Sequence, residues 1–227
     1  MKKLINYFNK AEIILWVCSV LMISGSFLIS GDSGYLGLIA SLVGVTALIL
    51  CAKGNPIGQV FMIVFCCMYT YISYTFSYYG EMITYACMSL PMATISLISW
   101  LRHPFKGNKA EVKVNSLKGK EYVFMLALTV VVTVVFYFIL KAFDTANLIP
   151  STFSITTSFA AAYLTFRRSP YYALWYVAND IVLIVLWTLA AMKDISYVSV
   201  IICFVTFLAN DIYGFISWRK MEKRQNG

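Results

Sequence analysis

Charge is what this chain has least of. Asp, Glu, Lys and Arg make up 12% of its 227 residues, against roughly 25% in ordinary soluble domains, which argues against a water-soluble globule. The single histidine, His103, stands far from every cysteine in sequence. No C-x-x-C pair occurs, and Cys18, Cys51, Cys66, Cys67, Cys87 and Cys203 all fall inside apolar stretches. Such cysteines behave as small hydrophobes, so neither a metal site nor a disulfide framework is expected. A Walker-type loop, an H-E-x-x-H helix and a carboxylate-rich metal motif are missing too, which removes the usual starting points for an enzyme. The longest segment between apolar stretches, 103–120, is too short to fold alone. A receptor module is therefore excluded, and no cofactor is implied.

What the chain has is apolar length: 60% hydrophobic residues and a mean hydropathy of +0.76. About 20 apolar residues span a bilayer, and eight stretches qualify, near 13–30, 35–52, 56–78, 82–101, 122–141, 151–167, 171–191 and 195–218. The basic residues sort by side. Lys2, Lys3 and Lys10 precede the first stretch, and Lys53 follows the second. Arg102, Lys106, Lys109, Lys113, Lys118 and Lys120 follow the fourth, Arg167 and Arg168 the sixth, and Arg219, Lys220, Lys223 and Arg224 the eighth. These are sixteen of the eighteen Lys and Arg, with only Lys141 and Lys193 on the other side. Short basic loops stay in the cytoplasm, so both termini are expected there. The formal charge of +8 then serves orientation and anionic lipid, and no nucleic-acid partner is implied. The first stretch, with Ser24-Gly25-Ser26 near its end, has a signal-peptide outline; its basic flank suits a retained helix equally well, and retention is the expectation.

Two parts of the chain resemble each other. Lys53-Gly54-Asn55-Pro56 matches Arg167-Arg168-Ser169-Pro170, each a basic corner with Pro at the start of the next helix. Leu97-Ile98-Ser99-Trp100 matches Phe215-Ile216-Ser217-Trp218. The offsets are 114 residues at the prolines and 118 at the tryptophans. Three spans reverse the chain's direction, so one spacer span between two triplets restores it. The expected architecture is an all-α integral membrane bundle of eight helices in a parallel 3+1+3 arrangement, with an extra first helix. Its divisions are 1–34 (tail and extra helix), 35–103 (first repeat), 104–120 (basic loop), 121–145 (linker helix), 146–218 (second repeat) and 219–227 (basic tail). Parallel repeats place a binding site at their interface near the bilayer midplane.

Ionisable residues inside a span are costly and point to function. Asp180 and Asp211 qualify, each following an asparagine (Asn179, Asn210). Tyr172, Trp175, Asn179, Val182 and Leu186 share a helical face. It carries two rings and an amide, suited to a flat ligand stacked and hydrogen-bonded by its edge. Thr206, Asn210, Tyr213 and Ser217 form a second polar stripe, for which simple interhelical packing is the competing role. Gln59 and Asn55 sit at a corner, with Tyr69 and Tyr71 further along the same helix. Glu81 sits at a helix end, where solvation alone accounts for it. Asp211 has two open roles, transport or pairing with the basic C-terminal end. Trp100 and Trp218 read as interface anchors.

At these residues the chain resembles the Pnu family of bacterial vitamin transporters, over roughly 36–218. The resemblance is carried by Gly54-Asn55-Pro56-Ile57-Gly58-Gln59, Tyr69, Tyr71, Tyr78-Tyr79-Gly80-Glu81-Met82, Leu90-Pro91-Met92 and Ser99-Trp100. In the second repeat it continues through Trp175, Asn179, Leu186-Trp187, Tyr213-Gly214 and Trp218. The family's W-x-x-W-x-x-x-N motif has Tyr172 at its first position here. The resemblance, strongest to the nicotinamide riboside branch, implies facilitated diffusion of a small unphosphorylated precursor across the bacterial cytoplasmic membrane. A cytoplasmic kinase would trap the product, and the assembly would be a homotrimer. On this reading Trp175 and Tyr172 stack the ligand's ring, Asn179 and Gln59 bond its edge, and Asn210 and Tyr213 close the site, with Asp180 and Tyr69 nearby. Relatives of this fold imply thiamine, riboflavin or a deoxynucleoside as other cargoes. A proton-coupled version using Asp180 is a further alternative.

Overall fold

The structure, a computed structural model, describes residues 7–30, 35–75, 78–145, 147–192 and 195–227. Lys2, Lys3 and Lys193, which enter the charge count, and Phe76 and Ser77, at the end of the third apolar stretch, lie outside the described residues. Eight long helices follow in order: α1 Lys10–Ser30, α2 Tyr35–Ala52, α3 Ile57–Thr75, α4 Tyr79–Arg102, α5 Gly119–Ala142, α6 Leu148–Phe166, α7 Tyr172–Ala191 and α8 Val198–Asn226. Between α4 and α5 the basic loop forms a small antiparallel hairpin, β1 Pro104–Phe105 with β2 Asn108–Val112, so the described fold is not purely helical. The basic segment after Trp218 is not a loose tail either, because α8 runs on through it to Asn226.

Seven of the helices are long and apolar enough to cross a bilayer, and this corrects the expectation of eight. The exception is α6. Its 19 residues suffice in length, but its first three turns carry Ser151, Thr152, Ser154, Thr156, Thr157 and Ser158. Four of those hydroxyls, on Thr152, Thr156, Thr157 and Ser158, bond within the helix, as in Thr152 Oγ1 to the Leu148 carbonyl (2.8 Å) and Ser158 Oγ to the Ser154 carbonyl (2.7 Å). The helix also packs against α4, α5 and α7 rather than facing lipid all round.

Local chemistry starts and stops the helices. Asn9 and Glu12 form a capping box at α1: the Glu12 N–H donates to Asn9 Oδ1 and the Asn9 N–H to Glu12 Oε2, both at 2.8 Å. Asn55 Oδ1 accepts the Ile57 N–H at 3.0 Å, with Pro56 just ahead of α3. Gly54 ends α2 in the left-handed region at φ +66°, and Arg168 ends α6 in the same conformation at φ +60°. Within α4, Thr84–Ser89 is a π-helical turn just before Pro91. One extra residue in that turn rotates Thr84, Tyr85 and Ser89 inward.

The two corners share a backbone bond pattern. Asn55 N–H meets the Leu50 carbonyl at 3.1 Å, and Ser169 N–H meets Leu164 at 3.0 Å; Gly54 N–H meets Cys51 at 2.8 Å, and Arg168 N–H meets Thr165 at 3.0 Å. Their tryptophans are exchanged between halves. Trp218 Nε1–H, at the end of α8, donates to the Cys51 carbonyl of α2 at 2.8 Å. Trp100 Nε1–H, at the end of α4, donates to the Thr165 carbonyl of α6, also at 2.8 Å. Both indoles are fully buried, with ring centroids 5.3 Å apart. Each indole thus adds a second donor to a carbonyl at the end of a helix in the other half, one that already accepts a corner N–H. Helix packing is reciprocal in the same sense: α2 lies on α8 and α6 on α4.

The hairpin straps this end of the bundle. Val112 N–H donates to the Gly54 carbonyl at 2.9 Å and Asn115 N–H to the Arg168 carbonyl at 3.0 Å. The side chains of Arg224 and Gln225 on α8 bond Glu111. The described basic gaps joined by these bonds therefore lie at one end of the molecule.

Gly58 permits the tight approach of α3 to α2. A Cβ there would lie 2.7 Å from both the Cys51 amide nitrogen and its sulfur, and 3.0 Å from the Ala47 carbonyl. Gly58→Ala is expected to destabilise the purified protein by about 1–3 kcal/mol through overpacking, read as a lowered melting midpoint. An unchanged midpoint would mean that α2 and α3 separate freely.

Candidate functional site

Polar side chains unsuited to a lipid-facing surface gather around one cavity between α2–α4 and α6–α8. Its volume of about 180 Å³ is far above the roughly 10–15 Å³ needed for one water, so it holds more than a single water or ion. One side is aromatic and apolar: Phe65 from α3, Tyr85 from the π turn of α4, and Phe204 and Phe207 from α8. Tyr69 is absent from the lining itself and backs this wall, its ring 4.6 Å from Phe65 and 5.2 Å from Tyr85.

The opposite side comes from α7. Tyr176, Asn179, Asp180 and Leu183 line the cavity at helical spacing. Asn179 is buried, and its Oδ1 accepts hydrogen bonds from Ser154 Oγ at 3.0 Å and Thr157 Oγ1 at 2.9 Å. Two α6 hydroxyls thus occupy the amide's oxygen and orient its nitrogen. Gln59 is likewise buried, its Nε2 donating to Cys51 Sγ at 3.3 Å. Asp180 and Asp211, from neighbouring helices, are both buried in the cavity lining, and Asp180 Oδ2 has no hydrogen-bond partner among the described residues. Glu81 joins the lining at the end of the cavity near Leu140 and Thr145. Among the described lining residues there are three carboxylic acids and no Lys, Arg or His.

The sequence-derived candidates divide. Asn179, Asp180 and Gln59 line the cavity, and Tyr69 supports it. The other four lie elsewhere in this structure. Tyr172 is one turn below Tyr176 on the same stripe, buried edge-on to Trp218 at 5.0 Å in the cluster beneath the cavity. Trp175 packs against that same cluster from the neighbouring face. Asn210 donates to Ser19 Oγ of α1 at 2.9 Å, and the Tyr213 hydroxyl donates to Glu12 Oε1 at 3.0 Å. The α8 polar stripe therefore faces the extra helix rather than the cavity.

That contact rests on a residue the sequence reading passed over. Glu12 is 2% exposed, pairs with Lys53 Nζ at 3.0 Å and holds Tyr213. Its spacing of seven from Ser19, and of Ser19 from Ser26, was the available signal, since all three are buried on one face of α1. Beside it, burial raises the Tyr7 phenol above its ordinary value, while the bond from Asn55 Nδ2 at 2.9 Å opposes the shift. Tyr176 was also missed. Its place three residues before Asn179 and four before Asp180 was the clue.

A bundle of membrane-spanning helices closing around a largely apolar cavity with a few buried polar groups is the architecture of a solute transporter. A family model described as the nicotinamide mononucleotide transporter matches residues 34–220, and the chain belongs to that family, the Pnu-type transporters. The nicotinamide riboside transporter PnuC of Neisseria mucosa is 28% identical over 218 residues, covering 94% of this chain and 82% of that protein. The protein of the same name from Haemophilus influenzae is 23% identical over 215 residues, covering 94% and 92%. A crystal structure of the vitamin B3 transporter PnuC superposes with a TM-score of 0.81 at 25% identity, covering 96% of this chain and 94% of that one. The chain is thus a multi-pass membrane transporter and not an enzyme.

Proposed function

We propose that this protein carries nicotinamide riboside across the bacterial cytoplasmic membrane by facilitated diffusion, with phosphorylation in the cytoplasm trapping the product. One observation carries the choice of cargo: the cavity lining has carboxylic acids and no described cation. A phosphate ester needs Lys, Arg or free backbone N–H donors, and carboxylates repel it. A pyridinium nucleoside is a cation, which acidic groups and aromatic faces both favour. The family's printed description is a mononucleotide transporter, whereas the two relatives are named for the riboside; the charge of the lining favours the latter for this chain.

In this reading Tyr176 and the Phe65–Tyr85 wall flank the ring, in the role that sequence spacing assigned to Trp175 and Tyr172. The Asn179 amide nitrogen and Gln59 bond the carboxamide or ribose hydroxyls, and Asp180 with Asp211 balances the ligand's charge. Asn210 and Tyr213 hold α8 against α1 and leave the ligand untouched. The matched corners and exchanged indoles support parallel triplets α2–α4 and α6–α8, with α5 as linker and α1 outside the symmetry. They support rocking of the triplets, hinged near Pro56, Pro91 and Pro170, as the route of alternating access. The gathering of basic gaps at one end supports cytoplasmic termini. The homotrimer is supported by the family resemblance.

Calorimetry on the purified protein tests the cargo, using nicotinamide riboside, its 5′-phosphate, thiamine, riboflavin and a deoxynucleoside. The riboside is expected to bind most tightly and the phosphate weakly or not at all. Tighter binding of the phosphate would overturn the charge argument.

A further inference from the structure

We propose that Glu12 of α1 is a positioning residue of the transport cycle: it clasps the α2–α3 corner to α8 at the basic end of the bundle, and its release lets that end open. The inference rests on the proposed rocking of the two triplets and gives a part in it to the helix outside their symmetry. That helix also lies ahead of the matched family span, 34–220.

One buried carboxylate makes the clasp. Glu12 is 2% exposed and takes donors from both triplets. Lys53 Nζ, from the corner between α2 and α3, lies 3.2 Å from Oε1 and 3.0 Å from Oε2. The Tyr213 hydroxyl of α8 donates to Oε1 at 3.0 Å, and Asn9 Nδ2 donates to that hydroxyl at 3.1 Å. Just ahead of α1, Tyr7 adds a second hold on the same corner. Its ring centroid is 4.7 Å from Lys53 Nζ, and its hydroxyl oxygen accepts Asn55 Nδ2 at 2.9 Å. The helix α1 packs on both α2 and α8, which pack on each other, so it bridges the seam between the triplets.

Opening this end parts α2 from α8, and Glu12 can follow only one of them. Either choice takes a donor from a buried carboxylate, which is strongly unfavourable. The loss is recoverable, because the clasp borders a cleft of about 380 Å³ between α1, α8 and the hairpin, far larger than the roughly 10–15 Å³ that one water needs. Lys53 already keeps 19% of its side chain exposed. Water can therefore take up the released ammonium or hydroxyl, and the contact is one that can break and re-form. At the opposite end the triplets meet through the Tyr78 and Tyr197 hydroxyls, 3.1 Å apart and exposed, a neutral pair that opens without stranding a buried charge.

Cys51 reports the opening. Its thiol is buried in the cluster that joins the triplets, with Trp218 and Tyr172, whereas Cys203 is buried near the start of α8, toward the other end. The full chain in nanodiscs is treated with a hydrophilic maleimide, and adducts at each cysteine are timed by peptide mass spectrometry. Glu12→Gln and Tyr213→Phe are each expected to speed labelling of Cys51 about tenfold or more, from loss of a charge-assisted bond, with Cys203 as slow as in the unmodified protein. A rise in only one folded variant would confine Glu12 to a single neighbour and overturn the clasp. Unchanged rates in both, or rapid labelling of the unmodified protein at Cys51, would overturn it as well. Should Glu12→Gln unfold, shown by labelling of Cys203, Tyr213→Phe decides by itself. Uptake of nicotinamide riboside into liposomes carrying the unmodified protein tests the cargo separately. Uptake with unchanged Cys51 rates overturns the clasp and leaves the cargo standing; faster Cys51 labelling in both variants with no uptake overturns the cargo and keeps the clasp.

Discussion

Trp218→Ala lowers the melting midpoint of the purified protein by roughly 6–20 °C. The estimate follows from about 3–5 kcal/mol for removing a buried indole, at roughly 2–4 °C per kcal/mol in a chain of this size. Two losses combine. The Trp218 indole is fully buried against Trp100, edge-on to Tyr172, and in the same cluster as Met221. Its N–H is the donor to the Cys51 carbonyl at the end of α2. Trp218→Phe keeps most of the ring and removes one of the two bonds to that carbonyl, which retains the Gly54 N–H, for about 0.5–1.5 kcal/mol. Trp100→Ala is expected to match Trp218→Ala, because its N–H serves the equivalent Thr165 carbonyl. Thermal unfolding of the variants checks the set. Should Trp218→Ala shift the midpoint by only a degree or two, the exchanged indoles do not hold the two halves together.

Asn179→Leu weakens nicotinamide riboside binding about tenfold to hundredfold, the equivalent of roughly 1–3 kcal/mol for a lost buried donor. The side-chain volume is nearly kept, Thr157 Oγ1 retains the Phe153 carbonyl at 3.0 Å as an acceptor, and Ser154 Oγ, which loses its bond to Asn179, is only partly buried. Calorimetry gives the affinity, and a melting midpoint close to that of the unmodified protein separates a binding effect from an unfolded one. Undiminished affinity would remove the amide from the site.

Much of the architecture was readable because a bilayer constrains a chain more tightly than water does. Apolar length, basic asymmetry and the 114-residue offset each come directly from residue type and position. The same rules failed at α6, whose hydroxyls bond its own carbonyls or Asn179 of α7 and so lower its hydropathy without needing water. The segment 103–118, too short to fold alone, is ordered because Val112 and Asn115 bond the Gly54 and Arg168 carbonyls of the two corners.

The site was legible in part. Asn179, Asp180 and Gln59 stood out because polar side chains within apolar helices have few reasons to be there. Periodicity alone, however, set the α7 face too close to Trp175. Helical spacing groups residues relative to each other, and only the neighbours pick which group turns inward. The same limit applies to Asn210 and Tyr213, which contact α1 in this structure, since the polar stripe of α8 reads alike whether α1 or a ligand covers it.

Residue order by itself determined that this protein lives in a membrane, where its basic gaps fall, and that two corner sequences recur, because hydropathy, charge and repetition are local properties. Only the packed bundle decided that Asp180 and Asp211 line one cavity, that each tryptophan serves the other half, and that Tyr176 rather than Trp175 faces the cavity. Those outcomes depend on the rotation of one helix against another, a quantity set by contacts between segments far apart in the chain.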